Sequence, residues 1–185
     1  MVTQPAQLVM RRPHLDDLPQ LAPLPGGYVL RPYDAKCDRP SLIATLTESF
    51  HEFWDEARLA RELTASPDVH TVYVISHAGR VVGTAASRFV PARFPDTGYV
   101  HWVGVASEHL RQGLAAALLA RVLGEFRERG YPAAVLETDD FRIPAIRAYL
   151  KFGFLPVYDV RGDDHRLRWS RVLAGVVAPG TVPKE

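Results

Sequence analysis

Residues 99–126 read YVHWVGVASEHLRQGLAAALLARVLGEF, and the order of their elements decides the fold. Tyr99 to Val105 is rich in β-branched and aromatic residues and reads as a strand. From Leu114 onward, apolar residues return every four positions, at Leu118, Val122 and Phe126, flanked by Ala115, Leu119 and Leu123. Gly130 and then Pro132 stop the run, which predicts a long helix. Between strand and helix lies His109-Leu110-Arg111-Gln112-Gly113-Leu114-Ala115. The first turn of a helix carries N–H groups without internal partners, and its dipole adds about half a positive charge there, so this turn suits an anion. Gly113 lets backbone approach a ligand, Ala115 and Ala116 are too small to obstruct it, and Arg111 and Gln112 add side-chain donors. Gly113 equally suits the plain start of a helix after a strand. The spacing matches neither G-x-x-x-x-G-K-[ST] nor G-x-G-x-x-G, so ATP and NAD gain no support.

Working outward, Thr71 to Ile75, a turn at His77-Ala78-Gly79-Arg80 and Val81 to Ala86 predict an antiparallel hairpin. Upstream, Asp38 is placed to cap a helix from about Pro40 to Phe50, and Asp55 a second helix to about Ala65. Downstream come a strand at Ala133 to Glu137, a helix at Pro144 to Lys151, a strand at Phe154 to Val160 and a helix from Asp163 or Asp164 to about Leu173. Pro19, Pro23, Pro25 and the Gly26-Gly27 pair disfavour regular structure, so 1–27 reads as an irregular proline-rich leader. The domain proper is expected over 28–160, with a C-terminal helix and a frayed tail over 161–185.

At 185 residues the chain is sized for one domain plus a short extension, and 47% hydrophobic residues supply a core. Lys and Arg number 22 against 21 Asp and Glu, a net charge of +1, which lacks the surplus a nucleic-acid binder uses to neutralise phosphates. The single Cys37 forms no internal disulfide and, with histidines at no metal-ligating spacing, predicts no metal site. Met1 to Pro13 holds no apolar signal run and no stretch reaches membrane-spanning length, so the expectation is a cytoplasmic protein without membrane or nucleic-acid partners.

Leu110-Arg111-Gln112-Gly113-Leu114-Ala115, opening a long helix after a strand, resembles the Q/R-x-x-G-x-G/A signature of the GNAT superfamily of acyl-CoA-dependent N-acyltransferases. Leu110 departs from the usual Arg or Gln. Downstream, Ala145-Ile146-Arg147-Ala148-Tyr149-Leu150-Lys151-Phe152-Gly153-Phe154 looks like the family's A-I-x-x-Y-x-K-x-G-F segment, whereas the Asn often found before that helix is replaced by the Thr138 to Ile143 stretch. The resemblance covers roughly residues 28–158 and implies an α/β fold: a mixed, mostly antiparallel six- or seven-stranded sheet with a central splay and flanking helices. It also implies acetyl-CoA as co-substrate, a small-molecule or peptide amine as acceptor, and a scaffold that admits a homodimer.

On that resemblance the cofactor site comprises Val103, Gly104 and Val105, whose backbone would pair with the pantetheine arm, and Leu110, Arg111, Gln112, Gly113, Leu114, Ala115 and Ala116 around the pyrophosphate. Gly104 sits where such strands often bulge; by itself a strand glycine signals a bulge or a close backbone approach. Tyr149 occupies the position of a phenol that protonates the departing thiolate or merely positions the sulfur, and it equally fits a helix core face. An ammonium acceptor has a pKa of about 10.4 and must lose a proton before attack. His101 matches a base position in some relatives; a water chain and a buried structural histidine are the alternatives. Strand alternation puts His101, Val103 and Val105 on one face with Tyr99, and Trp102 and Gly104 on the other. Trp54, Phe53 and Tyr99 are candidates for the acceptor wall, with core packing as the competing reading. A non-catalytic acyl-CoA-sensing module of the same fold is the alternative function, favoured by Leu110 and the missing Asn.

Overall fold

The structure, a computed structural model, describes residues 6–160 and 163–177. The tail read as frayed, beyond residue 177, lies outside them. Seven strands and five α-helices alternate among the described residues, the mixed α/β fold with antiparallel pairing that the sequence predicts. The chain divides into two compact units, residues 14–134 and residues 1–13 with 135–185.

In the larger unit, β2 (Tyr28–Pro32), β3 (Val69–His77), β4 (Arg80–Phe89) and β5 (Thr97–Val105) pair in that order, each antiparallel to the next. The β3–β4 turn forms where expected: Ala78 and Gly79 both take positive φ, 48° and 77°, the two-residue geometry whose twist matches a hairpin. Before β3 come α1 (Arg39–Phe50) and α2 (Glu56–Leu59), the latter continued by a π-helical turn over Ala60–Thr64. The carboxylate of Asp55 caps α2 by accepting the Arg58 N–H at 2.7 Å. Asp38 behaves differently from expectation: its carboxylate does not cap α1 but is 1% exposed, accepting Arg31 at 2.5 and 2.8 Å and the Asp34 N–H at 2.8 Å. Pairing a nearly buried charge with a guanidinium outweighs a cap.

The apolar face of α1, through Leu42 and Leu46, closes a core with Trp54, Leu59, Leu63, Val72, Val74, Val81 and Ala86. Helix α3 (Leu114–Glu128) buries Leu114, Leu118, Leu119, Val122, Leu123 and Phe126, the periodic residues that predict it. Gly98 of β5 admits this helix, since a Cβ there would come within 2.4 Å of the Phe126 ring.

In the smaller unit, β6 (Ala133–Thr138, from Val135), β1 (Leu8–Arg12) and β7 (Leu155–Pro156) lie in that order, with α4 (Ile143–Lys151) and α5 (Asp163–Val177). β1 falls inside the stretch 1–27 that reads as an irregular leader, and its Leu8, Val9 and Met10 are buried. Burial of Leu8 and Met10 outweighs the proline signal, and no proline falls within Leu8–Arg12 itself. β7 is shorter than the predicted strand at Phe154 to Val160, because Pro156 removes a backbone donor. α5 buries Trp169 and Val172, and Arg168 bonds the Asp140 carboxylate and the Ala6 carbonyl at 2.7 Å. Among the described residues no helix is long and apolar enough to cross a membrane.

Candidate functional site

The turn between β5 and α3 is held open by backbone conformation. Ser107–His109 forms a single 3-10 turn, Leu110 is extended, and Arg111 and Gly113 take positive φ, 62° and 77°. Gly113 is the N-cap residue of α3 and offers no side chain to its first turn, so the N–H groups at Leu114, Ala115 and Ala116 face outward without an intrahelical acceptor. Beyond its immediate chain neighbours, nothing among the described residues crowds the point where a Gly113 Cβ would stand to within 4 Å, and Leu110 is 53% exposed, with Arg111, Gln112 and Ala115 also at the surface. A cradle of this kind fits a pyrophosphate, which needs convergent N–H donors and the positive end of a helix.

Three anchors hold this turn to the rest of the unit. The Ala106 N–H donates to the Val82 carbonyl at 2.9 Å, the Ser107 N–H donates to Glu48 Oε1 at 2.6 Å, and the Tyr28 hydroxyl is 2.8 Å from His109 Nδ1. Hydrogen bonds from Ser107 hold the Glu48 carboxyl below its usual range. Glu48, Ser107 and His109 also line a pocket of about 380 Å³ together with residues of the β3–β4 turn. None of Glu48, Tyr28 or His77, whose ring lies 4.5 Å from that of Tyr28, stands out in the sequence, because each acts on residues far along the chain.

β5 carries the expected irregularity, but at a different residue. Trp102, not Gly104, takes positive φ, 49°, and the β4–β5 register shifts between Thr84 and Ala86. The extra residue breaks the alternation the sequence suggests. Trp102 packs edge-on to Phe50 and to Trp54, each with centroids 4.8 Å away, while the His101 ring lies 4.7 Å from Trp102 and 5.1 Å from Tyr99. Two consecutive residues thus share one side, whereas Val105 turns to the side of Leu118. Gly104 serves the close approach: a Cβ there would stand 2.8 Å from the Ser49 Cβ and 2.9 Å from Phe50 Cε2.

Of the acceptor-wall candidates, Trp54 and Tyr99 are buried at 2% and 4% exposure and belong to packed aromatic clusters, while Phe53 is exposed. The Arg58 guanidinium covers Trp54 at 4.3 Å, donates to the Phe53 carbonyl at 2.8 Å and pairs with Glu52. Among the described residues, the buried indole N–H groups of Trp54 and Trp102 and the hydroxyl of Ser49 have no hydrogen-bond partner. Burial pushes His101 down to about 3. In the smaller unit, Tyr149 lies on α4 with its ring 6.1 Å from Phe154, and burial pushes its phenol up to about 12. Asp140 is engaged by Arg168 and Arg142 by Asp139 at 3.1 Å. Among the described residues no group of three or more metal-ligating side chains converges.

Residues 39–154 match the family model described as Acetyltransferase (GNAT) family. The rat N-acetyltransferase 8B is 36% identical over 86 residues, 44% of this chain and 38% of that protein. A mycothiol acetyltransferase from Pseudarthrobacter chlorophenolicus is 30% identical over 147 residues, 75% of this chain and 45% of that protein. The chain therefore spans less than half the length of these two relatives. Among solved structures, a GCN5-related N-acetyltransferase from Sphaerobacter thermophilus superposes with a TM-score of 0.64 at 22% identity, over 83% of this chain and 50% of that one. The GNAT family N-acetyltransferase YhbS from Escherichia coli, in complex with CoA, gives a TM-score of 0.56 at 27% identity, over 74% and 72%.

Proposed function

Because the chain belongs to the GNAT acetyltransferase family, we propose that it transfers an acetyl group from acetyl-CoA to a primary amine by direct attack in a ternary complex. The observation that carries this reading is the turn before α3, where positive φ at Arg111 and Gly113 and an uncapped first helical turn present backbone N–H groups to an anion. The pyrophosphate sits on the amides of Leu114, Ala115 and Ala116, with Arg111 and Gln112 as side-chain donors. The backbone of Val103, Gly104 and Val105 aligns the pantetheine arm. Acetyl-CoA supplies the activated acyl group; the chain supplies orientation and proton transfers.

Tyr149 donates a proton to the departing thiolate or to the sulfur as a hydrogen bond. A phenol raised to about 12 stays protonated throughout the neutral range, which suits it to hydrogen-bonding the sulfur, whereas full proton transfer to a thiolate of pKa about 8.5 runs uphill. His101, lowered to about 3, is neutral at pH 7 but far too weak a base to strip an ammonium of pKa about 10.4. We therefore assign proton removal to a chain of waters that relays the proton to bulk solvent, so that the amine attacks as its free base, and give His101 the part of accepting a hydrogen bond from the amine. The acceptor is a small-molecule or peptide amine. The family likeness of this chain to a mycothiol acetyltransferase makes thiol-bearing amines one class to include among acceptors.

The sensing-module reading rests on Leu110, which leaves the loop one charged or amide side chain short of the family pattern. One experiment separates the two: CoA binding by calorimetry, and thiol release from acetyl-CoA with a panel of amines, for wild type, Tyr149→Phe and His101→Ala. Thiol release that falls in Tyr149→Phe supports the enzyme. CoA binding without thiol release from any amine supports the module.

A further inference from the structure

The last turn of α1 reaches the strand and loop of the candidate cofactor site at three successive places. Phe50 packs its ring on Trp102 at the bulge of β5, with centroids 4.8 Å apart. Ser49 lies against Gly104, close enough that a Cβ there would meet its Cβ at 2.8 Å. Glu48 accepts the Ser107 N–H at 2.6 Å, the shortest anchor of the turn that leads to Gly113. Glu48, Ser49 and Phe50 thus track Ser107, Gly104 and Trp102 in antiparallel order.

A carboxylate is unusual as the acceptor for a loop amide on an exposed helix end, since water satisfies both groups there at little cost. Its charge makes the bond roughly twice as strong as a neutral one. The bond also falls where backbone freedom matters: the turn has two positive-φ residues, Arg111 and Gly113, and takes its remaining tethers from Val82 and Tyr28. Fixing Ser107 removes conformations that the loop would otherwise lose on binding an anion, so the cradle is organised in advance. The negative charge itself opposes an anionic ligand, which makes sense only if the carboxylate orients the loop rather than touching the ligand.

We infer that Glu48 is a positioning residue for the cofactor loop: by holding the Ser107 amide it ties the loop's conformation to the end of α1, the helix that also packs on the β5 bulge. This rests on the acetyl-CoA reading above. One consequence is that displacing the end of α1 changes cofactor affinity without any contact between α1 and the cofactor.

The test uses Glu48→Ala, with two readouts. Amide hydrogen exchange at Ser107, measured without CoA, reports the latch itself; CoA affinity by calorimetry reports its effect. The expectation is faster exchange at Ser107 and CoA binding weakened about tenfold, the scale of one hydrogen bond to a charged group. Because Glu48 lines the pocket of about 380 Å³, formate added to Glu48→Ala can enter and accept the same N–H, and it is expected to recover most of the affinity. Glu48→Gln keeps an acceptor oxygen and should bind CoA within a fewfold of wild type. Unchanged exchange, or faster exchange with unchanged CoA affinity, overturns the inference. So does a loss that neither formate nor Gln restores. If wild type itself binds no CoA, the acetyl-CoA reading fails first, and the exchange readout still tells whether the latch exists.

Discussion

Trp102 stands edge-on to Trp54, ring centroids 4.8 Å apart and planes at 87°, and this contact fixes which way the irregular strand of the site turns. A tryptophan with φ of 49° is costly backbone, tolerated only where surrounding packing over-determines it. Phe50 on one edge, Trp54 on another and the Arg58 guanidinium 5.7 Å from the Trp102 ring supply that packing. The aromatic group therefore holds the bulge, and the bulge sets where His101 and Gly104 point.

Trp54→Ala should be a stability mutant. The side chain is 2% exposed within the α1–α2 core, and emptying such a site costs about 3–5 kcal/mol. Trp54→Phe, which keeps an aromatic ring and discards an indole N–H that has no partner, should cost clearly less. Chemical denaturation of the two variants checks the order. An unaltered midpoint in Trp54→Ala, with only the amine KM changed, would restore the acceptor-wall role that the sequence suggests.

Gly104→Ala tests the close approach of α1 to β5. With Ser49 and Phe50 atoms at 2.8 and 2.9 Å from the new methyl group, helix or strand must move, at a cost of about 1–3 kcal/mol. Since the same turn of α1 carries Glu48, CoA affinity should fall along with the melting temperature. Gly83→Ala is the control: its methyl would meet a flexible Leu118 terminus at 3.2 Å and should cost less.

These two residues also show what the sequence could and could not reveal. The β3–β4 hairpin and α3 are legible because their signals are local: a turn with Gly79, and apolar residues four apart. The bulge is not, because nothing at Trp102 itself announces it, and Gly104, the residue that invites the assignment, is needed for clearance instead. β1 is hidden because the stretch around it reads as irregular on its prolines and glycines, and because its partners lie far along the chain. Arg12 is 3% exposed and donates to the Phe152 carbonyl, a partner 140 residues away that no local pattern reveals. Glu125 carries a signal that could have been read: it follows Val122 by three and Leu118 by seven, on the buried face of α3, and so needs partners. It finds them in Ser87 at 2.5 Å, Thr71 at 2.8 Å and Arg129 at 2.8 Å.

Acid should destabilise the protein in two stages. Above about 6.5 the His101 imidazole is neutral in both folded and unfolded chains and contributes nothing to the pH dependence. Below that value the unfolded chain takes up a proton that the native state refuses until about 3, so stability falls as pH falls through this window. Glu125 adds a second stage: burial alone would raise it, but bonds from Ser87, Thr71 and Arg129 bring it below its usual 4.5. Its contribution is present above 4.5 and is lost as pH drops towards the lowered native value. Denaturant midpoints measured from pH 8 to 4 should therefore decline from about 6.5 downward, and His101→Gln should flatten the upper part of that decline. In the rate, His101→Gln should lower kcat without removing an ionisation near 6.5; an ionisation that vanishes with the histidine would mean that it titrates as the base after all.

Leu110→Arg should improve the site. Leu110 is extended and 53% exposed at the mouth of the cradle, so the longer side chain meets no packing obstacle and should leave stability within about 0.5 kcal/mol. A guanidinium there can donate to a phosphate oxygen, and one charge-assisted hydrogen bond at a solvent-exposed position is worth roughly 1 kcal/mol, or about fivefold in CoA affinity. The gain should shrink as salt is raised, because an exposed ion pair is screened over about 10 Å at 0.1 M. Calorimetric titration of CoA at low and high salt checks both parts. Tighter CoA binding with unchanged turnover would mean that the loop's missing side chain limits affinity alone; unchanged affinity would place the pyrophosphate elsewhere than beside Leu110.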